Sequence, residues 1–199
     1  MSARLQRVLD LIDAANAEDP NRVTVDAADQ PAELVYGQRM TRTLQALYPD
    51  ASEHLQIAAR GQHIERWTSP RDSYPRTREG YLRWRSALKD FHAERVGALM
   101  AEAGYDSEEI DRVSILIRKV GLKRDPEVQA LEDVICVVFL KGYFADFASQ
   151  HDDEKIVGIL RKTWKKMSPV GREAALALDL PDEAYRLVEQ ALGENSPTG

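Results

Sequence analysis

Apolar residues recur along this chain at the three-to-four-residue spacing of amphipathic helices. Leu5, Val8, Leu9, Leu11 and Ile12 mark the first. Pro31 opens a second, running to about Tyr48. Asp50 with Glu53 three residues later reads as a capping box for a third, from Ala51 to about Trp67. Residues 68–74 carry Ser69-Pro70 and end against Pro75; the residue before a proline avoids the helical well, so this stretch predicts a loop. Pro75 or Thr77 then starts a long helix to about Ala103, stopped by Gly104. Asp106 and Glu109 predict a second capping box and a helix to about Val120. Asp125-Pro126 is an N-cap and first-turn pair for a helix to about Gln150. Helices over 152–167, 169–178 and 181–192 complete the set. No segment alternates apolar and polar residues as a strand does. The pattern predicts an all-α fold, a single-domain helical bundle over 1–193 with eight or nine helices, and a tail at 194–199 that frays.

Composition narrows the class. Of 199 residues, 43% are hydrophobic and 30% charged, as in ordinary folded proteins. The longest apolar run, Val134 to Leu140, is far too short to span a bilayer, and the N-terminus has no signal-peptide core. Cys136 is the one cysteine, which excludes an internal disulfide and fits a reducing cytoplasm. The formal net charge of -6 argues against bulk nucleic-acid binding. Against that acidic background, RGQHIERWTSPRDSYPRTREGYLRWR (residues 60–85) holds seven arginines, a histidine and four large aromatic rings, with Glu65, Asp72 and Glu79 as its acids. Guanidinium groups recognise phosphate by paired hydrogen bonds, and aromatic faces stack on bases. The segment points to a phosphorylated small molecule or nucleotide, or a short RNA element.

Helical spacing selects the candidate side chains. Tyr81, Trp84, Leu88, Phe91, Val96 and Leu99 form one stripe with His92 inside it, and Arg85 and Lys89 along its edge. Arg60, His63, Ile64 and Trp67 share a face of the expected third helix. In LEDVICVVFL, Glu132 and Asp133 are embedded in a run that is apolar nearly all round, and buried carboxylates need a cation, a metal or hydrogen-bond donors. Ordinary readings stand beside these. His92 fits a hydrogen-bonded core residue, residues 60–85 a salt-bridged surface, and Asp133 a cap or a partner of Arg60 or Arg118. RKTWKK (161–166) fits a basic last turn favoured by the helix dipole. Glycine-rich phosphate loops, nucleophile elbows, C-x-x-C and H-E-x-x-H are absent.

Four segments carry a resemblance: AARGQHIERWTSPRDSYP, GYLRWRSALKDFHAERVG, LIRKVGLKRDPEVQALEDVICVVFL and LRKTWKKMSP. Over nearly its full length the chain resembles domain-of-unknown-function family 4202, which implies no activity. The order QHI, a histidine on the next helix, ILIRK and ALEDV is similar to that of the HD-domain metal-dependent phosphohydrolases, all-α bundles in which His and Asp residues bind a divalent metal that activates water. That similarity implies His63 in the place of the doublet's histidine, Asp133 as the last aspartate, and His92 as an extra histidine for phosphate or a second metal. The chain departs from the pattern at Ile64, where the doublet has Asp. It departs again at Tyr36 or a neighbour, where the first His belongs, and at Lys119, where another His is common.

The combined expectation is a degenerate HD-like bundle that binds a phosphorylated ligand and hydrolyses a phosphate ester. His63, His92 and Asp133 are its catalytic candidates, with His63 and Asp133 as ligands of any divalent metal. Arg60, Arg66, Trp67, Arg71, Tyr74, Trp84, Arg85, Lys89 and Lys119 are the expected binding residues. A non-catalytic nucleotide- or RNA-binding module on the same fold is the alternative. A partner-binding helical protein with Trp67 and Trp84 as core anchors is a third reading.

Overall fold

A computed structural model describes residues 2–193; the tail expected at 194–199 lies outside the described residues. Short polar side chains set most of the helix starts. Ser2, Ser52, Thr77, Asp152 and Ser168 each accept a hydrogen bond from the backbone N–H three residues on. They cap α1 (Ala3–Ala17), α3 (Glu53–Arg60), α4 (Arg78–Glu102), α8 (Asp153–Lys166) and α9 (Pro169–Leu176). Asp106 and Glu109 close a reciprocal capping box at α5 (Ser107–Arg118), and Asp125 caps α6 (Pro126–Gly142) with proline in the first turn. The remaining helices are α2 (Ala32–Leu47), α7 (Phe144–Ala148) and α10 (Asp182–Gly193). The fold is all-α, with ten α-helices among the described residues and one two-stranded hairpin.

Three expectations are corrected. A hairpin of β1 (Arg22–Val25) and β2 (Ala28–Pro31) stands where no strand was expected, pairing Arg22 with Pro31 and Val25 with Ala28. Its strands are four residues long, and its turn residues Asp26 and Ala27 adopt left-handed φ of 51° and 63° without the Asn-Gly signal usual there. The third helix is capped by Ser52 rather than Asp50 and stops at Arg60 rather than Trp67. Gly61 follows it and lies so close to Val96 of α4 that a Cβ would overlap the valine; Glu65 then turns the chain through a left-handed φ of 49°. Two 3-10 turns, Arg66–Thr68 and Arg71–Ser73, replace the rest. The helix expected to reach Gln150 breaks at Tyr143, which separates α6 from α7.

The chain forms two compact units, Met1–Leu122 and Lys123–Gly199. In the first, Leu5, Val8 and Ile12 of α1, Met40 and Leu44 of α2, Ile57 of α3, Met100 of α4 and Leu116 and Ile117 of α5 are buried together. Each such side chain contributes about 1.5–3 kcal/mol by leaving water. Arg60 ties three helices of this unit, donating to both carboxylate oxygens of Asp13 at 2.6 and 2.5 Å and to Thr41 Oγ1 at 3.0 Å.

In the second unit, α6 is buried on most sides, Cys136 included. The Glu132 carboxylate lies 3.5 Å from Lys166 Nζ. Asp133 accepts from the Ser168 backbone N–H at 2.8 Å, the Ser168 hydroxyl at 2.5 Å and the Gln129 amide at 3.1 Å. The carboxylate thereby fixes the start of α9, whose Gly171 has room for no Cβ: one built there would sit 2.5 Å from Asp133 Oδ1. No helix among the described residues is long and apolar enough to cross a membrane.

Candidate functional site

Within the first unit, three elements bring a carboxylic acid and two imidazoles together. Glu33 lies in the first turn of α2, and Tyr36 follows one turn on, so both side chains share a face. The Tyr36 ring stacks on His63 at 3.9 Å between centroids and 8° between planes. His63 Nδ1 lies 3.3 Å from Glu33 Oε2. His92, buried in α4 with 3% of its surface exposed, places its ring 6.0 Å from that of His63.

The irregular chain after α3 is held firmly. The Glu65 backbone N–H donates to Asn16 Oδ1 at 2.9 Å, and the Glu65 carboxylate takes two hydrogen bonds from Arg95. Asp19 caps α2 by accepting from the Glu33 backbone N–H at 2.9 Å. His63 therefore belongs to a pinned turn and not to a helix face.

Electrostatics set the protonation of the cluster. Burial raises the Glu33 carboxyl to about 7; Arg66 partly offsets this and Asp19 adds to it. Burial drives the His63 imidazole well below its ordinary range, helped by the positive charges of Arg66, Lys119 and Arg85. His92 is lowered to about 3 by burial, then by His63, Arg66 and Arg85. At neutral pH both imidazoles are uncharged, and the Glu33 carboxyl is close to half ionised. His92 Nε2 and Gln62 Oε1 are buried and have no hydrogen-bond partner among the described residues. An orphaned polar atom of that kind costs about 1–3 kcal/mol, a cost that binding sites tolerate.

The arginines of residues 60–85 other than the exposed Arg78 divide by partner. Arg60 is committed to Asp13. Arg71 donates to the carbonyls of Tyr74, Pro75 and Thr77 and so staples its own loop. Arg76 and Arg83 make exposed pairs one helical turn away, with Asp72 and Glu79. Arg66 lies over the Trp84 ring at 5.4 Å. Neither Arg66 nor Arg85 is ion-paired with a carboxylate among the described residues, and both direct positive charge onto the two imidazoles.

Trp84 is buried and donates its indole N–H to the Ser69 carbonyl at 3.0 Å, so it anchors the loop and orients Arg66. Trp67 and Tyr74 are half-buried on the two 3-10 turns, and Lys89 is half-buried one turn beyond Arg85. Lys119 ends α5 with a left-handed φ of 60°.

His63, His92, Arg66, Arg85 and Lys119 thus act on one another, whereas Arg60 and Arg71 hold structure. Arg118, the other cation considered for Asp133, bonds Asp90. Glu33 was missing from the sequence reading. Its signal is a carboxylate at the head of the buried series Tyr36, Gly37, Met40 and Leu44, three and four residues apart. Among the described residues no group of three or more His, Cys, Asp or Glu side chains could hold a metal ion, so the donor set does not fit a divalent cation.

A family model matches residues 6–188, the greater part of the chain. The chain belongs to the family described as Domain of unknown function (DUF4202). No curated protein and no solved structure matches the chain significantly. The region matched to DUF4202 includes every residue of the site, from Glu33 through Lys119.

Proposed function

We propose that this DUF4202 chain binds a phosphorylated small molecule or nucleotide at the Glu33–His63–His92 cluster of its first unit. One observation carries the reading: Arg66 and Arg85, two guanidiniums that no carboxylate among the described residues pairs with, bear on the buried His92 and the half-buried His63, whose rings lie 6.0 Å apart. Positive charge gathered over buried, uncharged acceptors is unfavourable in isolation and is relieved by an anion. Lys119 adds a third positive charge.

Hydrolysis of a phosphate ester is the catalytic half of the proposal. Glu33, 3.3 Å from His63 Nδ1, orients the ring so that Nε2 takes a proton from water. Water oxygen bonds to phosphorus, the bond from phosphorus to the leaving oxygen breaks, and the proton on His63 passes to that oxygen. Arg66 and Arg85 neutralise the charge on the non-bridging oxygens. The formal net charge of -6 favours soluble metabolites over long nucleic acid.

Thermal-shift measurements with phosphorylated metabolites test the binding half, since a ligand of the folded state raises Tm by mass action. At least one compound is expected to raise Tm in wild type and to lose most of that shift in Arg66→Gln and Arg85→Gln. If every ligand-induced shift survives both substitutions, the site is misplaced. Release of phosphate from the same compound separates the enzyme from a sensor that only binds.

A further inference from the structure

Resting on that reading, we infer that the ligand is a terminal phosphate monoester, seated on Arg66 and Arg85 with one oxygen at His92 Nε2, and that the site takes up one proton as it binds. Charge is the first argument. The positive charges of Arg66, Arg85 and Lys119 attract a free monoester dianion more strongly than a diester, which carries one negative charge.

The second argument is the unused nitrogen. His92 Nε2 is buried without a protein partner and belongs to a ring 6.0 Å from His63, which itself lies 3.3 Å from Glu33 Oε2. Three protonable groups are therefore neighbours, and one of them, His92, carries an unsatisfied atom. A phosphate monoester has its second ionisation near pH 6, so its terminal oxygen can share a proton with Nε2; a diester has no such oxygen.

The groups facing His92 are His63, Arg66 and Arg85. The two arginines oppose an imidazolium in the free protein. A bound dianion reverses their effect, so the proton that the free site excludes becomes favourable in the complex. It lies between the phosphate oxygen and His92, and the buffer supplies it.

Calorimetric titration of the full-length protein with methyl phosphate and with dimethyl phosphate tests this, at pH 8 and pH 7 and in two buffers of different ionisation enthalpy. For one linked proton, methyl phosphate affinity rises about tenfold from pH 8 to pH 7, and its binding enthalpy shifts with buffer by one proton's worth. Dimethyl phosphate is expected to bind at least about tenfold more weakly, with no buffer dependence, since each lost tenfold reflects one weakened charge contact. Arg85→Gln, a change at an exposed position, is expected to weaken methyl phosphate binding. Equal affinity for the two probes overturns the monoester assignment. Tight, pH-independent binding of methyl phosphate that Arg85→Gln weakens overturns proton uptake and leaves the binding reading standing. Failure of both probes to bind, or binding that Arg85→Gln does not alter, removes the binding reading itself.

Discussion

Acidification should destabilise the protein through His92, and replacing that residue with glutamine should remove its share. In the fold the imidazole is lowered from 6.5 to about 3, because burial and the charges of His63, Arg66 and Arg85 oppose its cation. An unfolded chain takes the proton below pH 6.5 and the folded one does not. The stability tied to neutral His92 is therefore whole above pH 6.5 and declines as pH falls toward 3. At pH 5 the loss is about 1.5 pH units at 1.36 kcal/mol each, or about 2 kcal/mol.

Glu33 has the opposite sign. Its carboxyl is raised from 4.5 to about 7, so the fold holds that proton where the unfolded chain has lost it, and its contribution fades as pH rises from 4.5 to 7. Urea unfolding at pH 7.5 and pH 5.0 separates the two effects, since each protein is compared with itself. In wild type the two contributions oppose each other on acidification. His92→Gln is expected to lose about 2 kcal/mol less than wild type, and Glu33→Gln about 2 kcal/mol more. Parallel behaviour of wild type and His92→Gln would refute a neutral buried imidazole at this position.

Two further outcomes bear on packing. Arg60→Gln should cost about 2–4 kcal/mol in urea unfolding, because it leaves Asp13 without its two-pronged partner, while any phosphate-induced thermal shift is retained; loss of the shift at preserved stability would return Arg60 to the binding site. Gly171→Ala should lower stability by about 1–3 kcal/mol through overlap with Asp133. An unchanged midpoint there would show that α9 can move off α6.

Much of the helical layout was legible because its signals are local. Thr77, Asp106 with Glu109, Asp125-Pro126, Asp152 and Ser168-Pro169 each satisfy backbone groups within three residues, and helices start at all of them. The hairpin was not legible, since Asp26-Ala27 lacks the usual turn residues and the strands are too short to show a period. The end of α3 was missed for a tertiary reason: the helical pattern continues past Arg60, but the approach of Val96 to Gly61 and the ties from Asn16 and Arg95 to Glu65 turn the chain away.

His63, His92, Arg66 and Arg85 were nameable from residue type and charge density alone. Which arginine serves structure and which directs charge at the imidazoles was not, because that depends on partners distant in sequence. Asp13 takes Arg60 across 47 residues, and among the described residues no carboxylate takes Arg66 or Arg85. Glu33 stayed hidden for the same reason: its significance lies in contact with a histidine thirty residues later. Local hydrogen bonding and periodicity write helices directly into a sequence. Burial and electrostatic environment belong to the assembled side chains, and they alone determine which of many charged residues make a site.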